Sequence, residues 1–195
     1  RTPAIILSDG VIGQMMEKVE MSEQKPRWTD EEIKKNSPWA CTGKTNDRKQ
    51  NIITSLALDA AVHEKLNERL QAKYKKMEEE DVLFDSYMTE DAEHLLVAYG
   101  SMSRICQSVV ETARENGIKL GLLRPITLFP FANKEIDRLV PQLKSIMSVE
   151  LSAGQMVEDV RLVVNGRIPV NFYGRLGGIV PSPEEVYEAF VKSIK

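Results

Sequence analysis

The sequence is poor in the residues that catalytic and metal sites use most often. It has two cysteines and two histidines among 195 residues. Cys41 and Cys106 form no CxxC pair, so neither an iron–sulfur cluster nor a structural zinc site is supported. The nucleophile elbow G-x-S-x-G and the dinucleotide fingerprint GxGxxG are also absent. The chain by itself therefore shows no complete catalytic machinery.

Long apolar runs and a strong net charge are missing as well. No apolar run approaches the roughly 20 residues that span a bilayer, and no signal peptide is recognisable, so we expect a cytoplasmic protein with no membrane partner. A net charge of -3 gives no electrostatic footprint for nucleic acid. The 42% hydrophobic and 28% charged content is typical of a globular protein. The start at Arg1, without a methionine, suggests an excised fragment.

The residues that remain as isolated candidates for chemistry have simpler interpretations. His63 lies near the start of an amphipathic pattern and His94 opens a strand, and neither has an evident carboxylate or nucleophile partner in the sequence. Thr42–Thr45 reads TGKT, like the end of a phosphate-binding loop, but the glycine required five positions before Gly43 is absent. A solvated or core histidine and a turn in a linker are the preferred interpretations.

The first half of the chain has a mixed pattern. Ala4–Leu7 predicts a short strand and Val11–Met21 a helix, and the polar residues 22–50 predict a linker or an ordered surface loop. Apolar residues at three- and four-residue spacing between 58 and 77 predict a long amphipathic helix. Val82–Thr89 alternates loosely, as an edge strand does.

From Asp91 onward, strands and helices alternate. Four apolar stretches predict strands: His94–Tyr99, Ile118–Leu123, Ile146–Glu150 and Pro169–Tyr173. We expect Arg124-Pro125 to end the second of them, because proline has no donor for a sheet ladder. Ser101 or Ser103 can cap the first intervening helix, and Ser182, Pro183 and Glu185 start the last one. This alternation predicts an α/β fold with a mostly parallel sheet and helices on both faces.

Polar residues leave two of these strands on the same side of the sheet. Glu150 ends one strand and Gln155 stands at the following helix start, while Arg124 and Thr127 follow the neighbouring strand. Ligands of open parallel sheets bind at this edge, and helix N-termini favour anions there. An internal pairing of Arg124 with Glu150 that holds two loops together explains the same residues, and we prefer it.

Four segments resemble the alpha subunit of the thiamine diphosphate-dependent 2-oxoacid:ferredoxin oxidoreductases, of the 2-oxoglutarate, 2-oxoisovalerate (3-methyl-2-oxobutanoate) and pyruvate types. They are ILSDGVIGQMMEKVE at 6–20, LLVAYGSMSRI at 95–105, GLLRPITLFPF at 121–131 and VELSAGQMVEDVRL at 149–162. Lys18 and Ala132 stand where this family usually has proline, which loosens the geometry of those loops slightly. The second half also looks like the C-terminal domain of transketolase.

The resemblance implies a domain organisation. Residues 1–21 look like the last strand and helix of a pyrimidine-binding domain, residues 22–92 are a linker with the long helix, and residues 93–195 look like a transketolase C-terminal-like domain. In this family the beta subunit binds the cofactor diphosphate through a metal, here expected to be magnesium. Other subunits carry the coenzyme A region and the iron–sulfur clusters, and ferredoxin accepts the electrons. Small gamma and delta subunits are expected as further partners.

The resemblance also implies a function. The whole enzyme converts a 2-oxoacid to an acyl-coenzyme A, and we expect residues 1–195 alone to be an inactive assembly domain without catalytic, cofactor-binding or metal-binding residues. The candidate interface or loop-anchoring residues are Arg124, Thr127, Phe129, Phe131, Glu150 and Gln155. The alternatives are a purely non-catalytic assembly module and the C-terminal domain of a transketolase or a 2-oxoacid dehydrogenase, which share the fold but lack the LLRPITLFPF wording. The sequence does not distinguish between the 2-oxoacid substrates.

Overall fold

The computed structural model describes residues 2–16, 18–21, 23, 28–44 and 49–195. Contact analysis divides the chain into two compact units, one of residues 16–73 and one that combines residues 2–15 with residues 74–195. Pro26 and Thr45, which belong to the segments interpreted above as linker and turn, lie outside the described residues.

The larger unit is organised around a five-stranded sheet in the order β1-β3-β2-β4-β5. The strands are β1 (Phe84–Tyr87), β2 (His94–Val97), β3 (Leu120–Pro125), β4 (Ser145–Glu150) and β5 (Val170–Gly174). Strands β2 to β5 run parallel, and β1 pairs antiparallel with β3 at one edge. The edge strand and the four parallel strands after Asp91 are confirmed, within two residues at each boundary.

Helices cover both faces of the sheet, so the predicted fold class is confirmed. Helices α4 (Gly100–Glu115) and α7 (Pro183–Ser193) pack with one apolar cluster, and α5 (Asn133–Leu139) and α6 (Met156–Val164) pack with the other. A 3-10 helix at Val140–Gln142 follows α5. Successive residues of β2 alternate between the clusters, because Leu95 belongs to one and Leu96 to the other. Both faces of this central strand are therefore buried.

The start of α7 follows from local sequence alone. The Ser182 hydroxyl accepts the Glu185 N–H, and the Glu185 carboxylate accepts the Ser182 N–H. Pro183 occupies the first turn, where its missing N–H has no helical partner to lose. The predicted capping box is confirmed.

The first residues differ from the prediction. Ala4–Leu7 forms no strand, and Ile6 is 95% exposed. The predicted helix at Val11–Met21 shortens to α1 (Gly10–Gln14). A single apolar segment cannot form a strand without a neighbour that satisfies its backbone groups, and the sheet of this unit offers it none.

The smaller unit holds α2 (Asp30–Asn36), which a Thr29–Glu32 capping box starts, and most of α3 (Ala60–Glu80). The segment 22–50 is therefore not loop throughout, since α2 lies within it. Half-buried positions recur along α3 at Leu66, Leu70, Tyr74 and Met77, as predicted for the apolar stripe. The first two positions of the stripe differ, because Leu58 precedes the helix and both Leu58 and Val62 are exposed. Thr42, Gly43 and Lys44 lie in irregular backbone.

Candidate functional site at the carboxyl ends of the strands

The strand order creates a crevice between the carboxyl ends of β2 and β4. From β2 the chain moves to β3 on one side, and it then returns to β4 on the other side of β2. Helix α4 follows β2 and helix α6 follows β4, so both helices begin beside this point. Open α/β sheets bind their ligands at such a reversal of strand order.

Glu150, the last residue of β4, fills the N-terminus of α6 with its own carboxylate. Its Oε2 accepts the N–H groups of Gln155 at 2.9 Å and Met156 at 3.1 Å, and its Oε1 accepts the Val157 N–H at 2.9 Å. The hydroxyls of Ser148 and Ser152 each donate to it at 2.9 Å. With five donors on one carboxylate, the groups that would bind an anion here are already satisfied.

The charge of Glu150 is stabilised although the residue is 1% exposed. Burial alone would raise the pKa of the carboxyl, and it is the largest single influence. The hydrogen bonds from the Gln155 N–H, the Ser152 hydroxyl, the Val157 N–H and the Ser148 hydroxyl together outweigh burial and lower the pKa of Glu150 below its ordinary value. The carboxylate is an internal anion for α6.

The expected pairing of Arg124 with Glu150 is wrong. Arg124 Nη1 lies 3.3 Å from Asp85 Oδ2, because the antiparallel register of β1 and β3 places these two residues opposite each other. Strand β3 also runs through Arg124 and ends at Pro125, which pairs with Phe84, so the strand ends two residues later than expected. Pro125 lies beyond Leu123, the last β3 residue that pairs with β2, so its missing N–H interrupts no bond of the parallel ladder.

Thr127 anchors the loop that follows β3. Its hydroxyl donates to the Pro130 carbonyl at 2.7 Å and accepts the Leu83 N–H at 3.0 Å. The Thr127 N–H in turn donates to the Leu83 carbonyl at 3.1 Å. The loop is thus tied at its base to the residue before β1.

The two phenylalanines of this loop have different environments. Phe131 is 9% exposed and belongs to the apolar cluster beneath α5 and α6. Phe129 is 61% exposed, and its ring lies nearly perpendicular to that of Tyr74, with ring centroids 6.2 Å apart. Of the two alternatives for these residues, burial favours loop anchoring for Phe131, while Phe129 stays a candidate for an interface.

A shallow cleft of about 200 Å³ lies between this loop and the start of α6. Its lining residues are Tyr99, Leu128, Phe131, Gln155, Met156 and Asp159. The N–H of Gln155 donates to the Glu150 carboxylate, so this lining residue also belongs to the anchored start of α6.

Sequence reasoning missed Asp9. Neither Ser101 nor Ser103 caps α4, whose N-cap is Tyr99 without a side-chain hydrogen bond. Ser103 Oγ instead donates to the Gly100 carbonyl at 2.7 Å, and Ser101 Oγ donates to the Asp9 carboxylate. The two residues of this contact lie in the LSDG and YGSMS motifs, which are both parts of the segments that carry the family resemblance.

Comparison with known proteins places this geometry in a family. Residues 92–186 match the family described as pyruvate:ferredoxin oxidoreductase core domain II. The matched segment runs from just before β2 into α7, and this segment is similar to that core domain II.

Relatives of named function extend the match to nearly the whole chain. Ketoisovalerate oxidoreductase subunit VorB of Methanothermobacter marburgensis is 44% identical over 91% of this chain and 49% of its own length. The subunit of the same name from Methanothermobacter thermautotrophicus is 41% identical over 96% of the chain and 51% of its own length. The chain spans about half the length of the curated relatives it matches. The resemblance to the 2-oxoacid:ferredoxin oxidoreductase subunits is confirmed.

A solved structure shares the fold. The 2-oxoglutarate:ferredoxin oxidoreductase from Magnetococcus marinus superposes with a TM-score of 0.60 at 16% identity, over 71% of this chain and 24% of that one. At this identity the likeness concerns the fold alone.

The core domain II does not offer a site that fits thiamine diphosphate and its metal ion. The N–H groups at the start of α6 are satisfied by Glu150 rather than open to a phosphate. Among the residues that the structure describes, no group of three or more histidine, cysteine, aspartate or glutamate side chains could hold a metal ion.

The remaining candidates for chemistry are His94 and the two cysteines. His94 Nδ1 lies 2.8 Å from Ser145 Oγ, and burial together with the nearby Lys144 lowers the pKa of His94. Burial raises the pKa of the Cys106 thiol well above its ordinary value, while Cys41 is exposed. In the described part of the chain, no helix is both long and apolar enough to cross a membrane.

Proposed function

We propose that residues 1–195 are the C-terminal part of the alpha subunit of a 2-oxoacid:ferredoxin oxidoreductase that acts on 3-methyl-2-oxobutanoate (ketoisovalerate). The observation that supports this substrate is the difference in sequence identity between two groups of relatives. The ketoisovalerate subunits are 44% and 41% identical to this chain, whereas the 2-oxoglutarate synthase subunit KorA of Methanothermobacter marburgensis is 26% identical. Coverage of the chain is similar in all three, so identity separates them.

Within this enzyme, the chain acts as an assembly domain. The whole enzyme decarboxylates the 2-oxoacid on thiamine diphosphate, passes two electrons to ferredoxin and forms an acyl-coenzyme A. Magnesium and the cofactor diphosphate are held by the beta subunit, and the iron–sulfur clusters lie on partner chains, with small gamma and delta subunits as further partners. The internal satisfaction of the α6 N-terminus by Glu150 supports a non-catalytic role for this part. A cytoplasmic location follows from the same proposal.

The loop at 124–131 is the proposed contact with a partner chain. Ile126, Leu128 and Phe129 leave apolar surface exposed beside a base that Thr127 ties down. Neighbouring exposed apolar side chains on a rigid loop are typical of a protein interface. Arg124 and Asp85 lie at the charged end of this surface.

Activity of the full-length enzyme tests the substrate. The full-length protein is purified anaerobically with its co-expressed partner subunits, and dye reduction that requires coenzyme A is measured with 3-methyl-2-oxobutanoate, 2-oxoglutarate and pyruvate. We expect kcat/KM to be highest for 3-methyl-2-oxobutanoate. A higher value for 2-oxoglutarate overturns the substrate assignment, and no reduction with any 2-oxoacid overturns the enzyme class.

A further inference from the structure

One carboxylate, that of Asp9, contacts two helices that lie far apart in the sequence. Asp9 Oδ1 accepts the Ile12 N–H at 2.8 Å and so caps α1. Its Oδ2 accepts the hydroxyl proton of Ser101, in the first turn of α4. The contact joins residues that are 92 positions apart in the chain.

This contact is where the segment meets the rest of its unit. Every residue from 2 to 16 is exposed except Asp9 and Ile12, which are half-buried. The apolar side chains of Ile5, Ile6 and Leu7 therefore do not hold the segment. The Asp9 carboxylate makes the hydrogen bond that joins the segment to α4, and Ile12 is the other partly covered residue of the segment.

The start of α4 is shaped to receive a carboxylate. Its N-cap, Tyr99, contributes no side-chain hydrogen bond, which leaves the end of a 16-residue helix without a cap of its own. Gly100 has a φ of +57°, and a Cβ built on it would lie 3.8 Å from Asp9 Oδ2. A side chain at Gly100 would be strained by this φ and would stand against the carboxylate.

The electrostatics agree with this geometry. The N-terminus of α4 carries the positive end of the helix dipole, so a carboxylate is favoured there. The Ile12 N–H and then the Ser101 hydroxyl lower the pKa of Asp9 below its ordinary value. The neighbouring helix, α6, has the equivalent requirement met by Glu150. Each helix that begins at the crevice between β2 and β4 thus contacts a carboxylate from the same chain.

We propose that Asp9 is a latch that docks residues 2–15 onto the N-terminus of α4. A segment of the chain itself occupies this end of the crevice. Ser101 is the residue of α4 that donates a hydrogen bond to it. The latch does not depend on the proposed enzymatic function. Where residues 1–21 belong to a pyrimidine-binding domain, as the resemblance implies, Asp9 fixes that domain to the core domain II.

Heteronuclear ¹⁵N NOE measurements on the 195-residue chain test the latch. Wild-type residues 8–14 are expected to show values close to those of the sheet, because the segment is held. Asp9→Asn leaves one acceptor oxygen for two donors, and Ser101→Ala removes the receiving hydroxyl while α1 keeps its cap. Both variants should lower the values at residues 4–14 to those of a flexible terminus.

Asp59→Asn is the matched control. Asp59 Oδ1 accepts the Val62 N–H at 2.9 Å and so starts its own helix as Asp9 does. This variant should leave residues 4–14 unchanged. Low wild-type values, unchanged values in Ser101→Ala, or an equal loss in Asp59→Asn each overturn the proposal. The wild-type measurement decides the matter even if a variant fails to fold, and none of these outcomes depends on enzyme activity.

Discussion

At the residue scale, the buried charge of Glu150 determines how α6 starts. Three backbone N–H groups and two hydroxyls satisfy its carboxylate. Hydrogen bonds from neutral donors to a buried carboxylate are strong, and removing the acceptor leaves buried donors without partners. Glu150 is therefore a structural residue whose loss affects folding before it affects any interface.

We expect Glu150→Gln to lower the free energy of unfolding by about 1 to 3 kcal/mol, because the amide nitrogen cannot accept the N–H groups it would face. Urea denaturation followed by circular dichroism measures the change. Glu158→Gln is the control, since Glu158 stands in the first turn of the same helix but is exposed and pairs with Arg161. It should change stability by no more than about 0.5 kcal/mol. Equal effects of the two variants would contradict the anchoring role.

The stabilisation by Glu150 should depend on pH. Its pKa is lowered in the folded state, so its contribution is complete above the unfolded value of about 4.3 and is lost as the pH falls through the folded pKa. The stability difference between wild type and Glu150→Gln should therefore shrink below about pH 4. Urea midpoints of both proteins between pH 3 and 7 measure this difference, and the other carboxyl groups cancel in the comparison. A difference that stays constant to pH 3 argues against a charged Glu150.

At the element scale, the loop after β3 combines a core residue with an interface candidate. Thr127 ties its base to Leu83, and Phe131 enters the apolar cluster under α5 and α6. Phe129 points away from this cluster and meets Tyr74 edge to face. The proline-rich loop therefore contributes one aromatic side chain to the core and presents another on the surface.

Single substitutions should separate these two roles. Phe131→Ser should lower the free energy of unfolding by about 3 kcal/mol, because it removes a buried aromatic side chain. Phe129→Ser should change it by about 0.5 kcal/mol or less and should weaken assembly of the full-length protein with its beta subunit. Thermal denaturation and size-exclusion chromatography of the co-expressed subunits measure the two effects. A severe loss of stability in Phe129→Ser with assembly unchanged would contradict the assignment.

At the scale of the whole molecule, two carboxylates of the chain itself lie at the crevice between β2 and β4. Glu150 satisfies one helix N-terminus and Asp9 contacts the other. This organisation agrees with the proposed assembly role.

We expect residues 1–195 alone to bind no thiamine diphosphate. Titration calorimetry with the cofactor and magnesium should give no heat of specific binding, since the described residues hold no metal-ligand group and Glu150 satisfies the N-terminus of α6. The co-purified full-length enzyme is the control and should bind. A dissociation constant in the micromolar range for the 195-residue chain would show that the domain holds the cofactor itself.

The sequence by itself determined the features that depend on near neighbours. Apolar periodicity predicted the alternating strands and helices after Asp91, and the Ser182–Glu185 capping box predicted the start of α7. The unpaired segment at Ala4–Leu7 is the instructive failure, because a strand exists only where another strand accepts it. Local pattern alone does not contain that information.

Only the tertiary structure decided which polar groups meet. Asp85 forms an ion pair with Arg124 because the antiparallel register of β1 and β3 places the two residues opposite each other. Glu150 accepts the N–H groups at the start of α6, close to the end of β4. Asp9 and Ser101 meet across 92 residues. The type of each side chain determines which groups it can hydrogen-bond. The strand order and the positions of the helix N-termini determine which of those groups lies within reach.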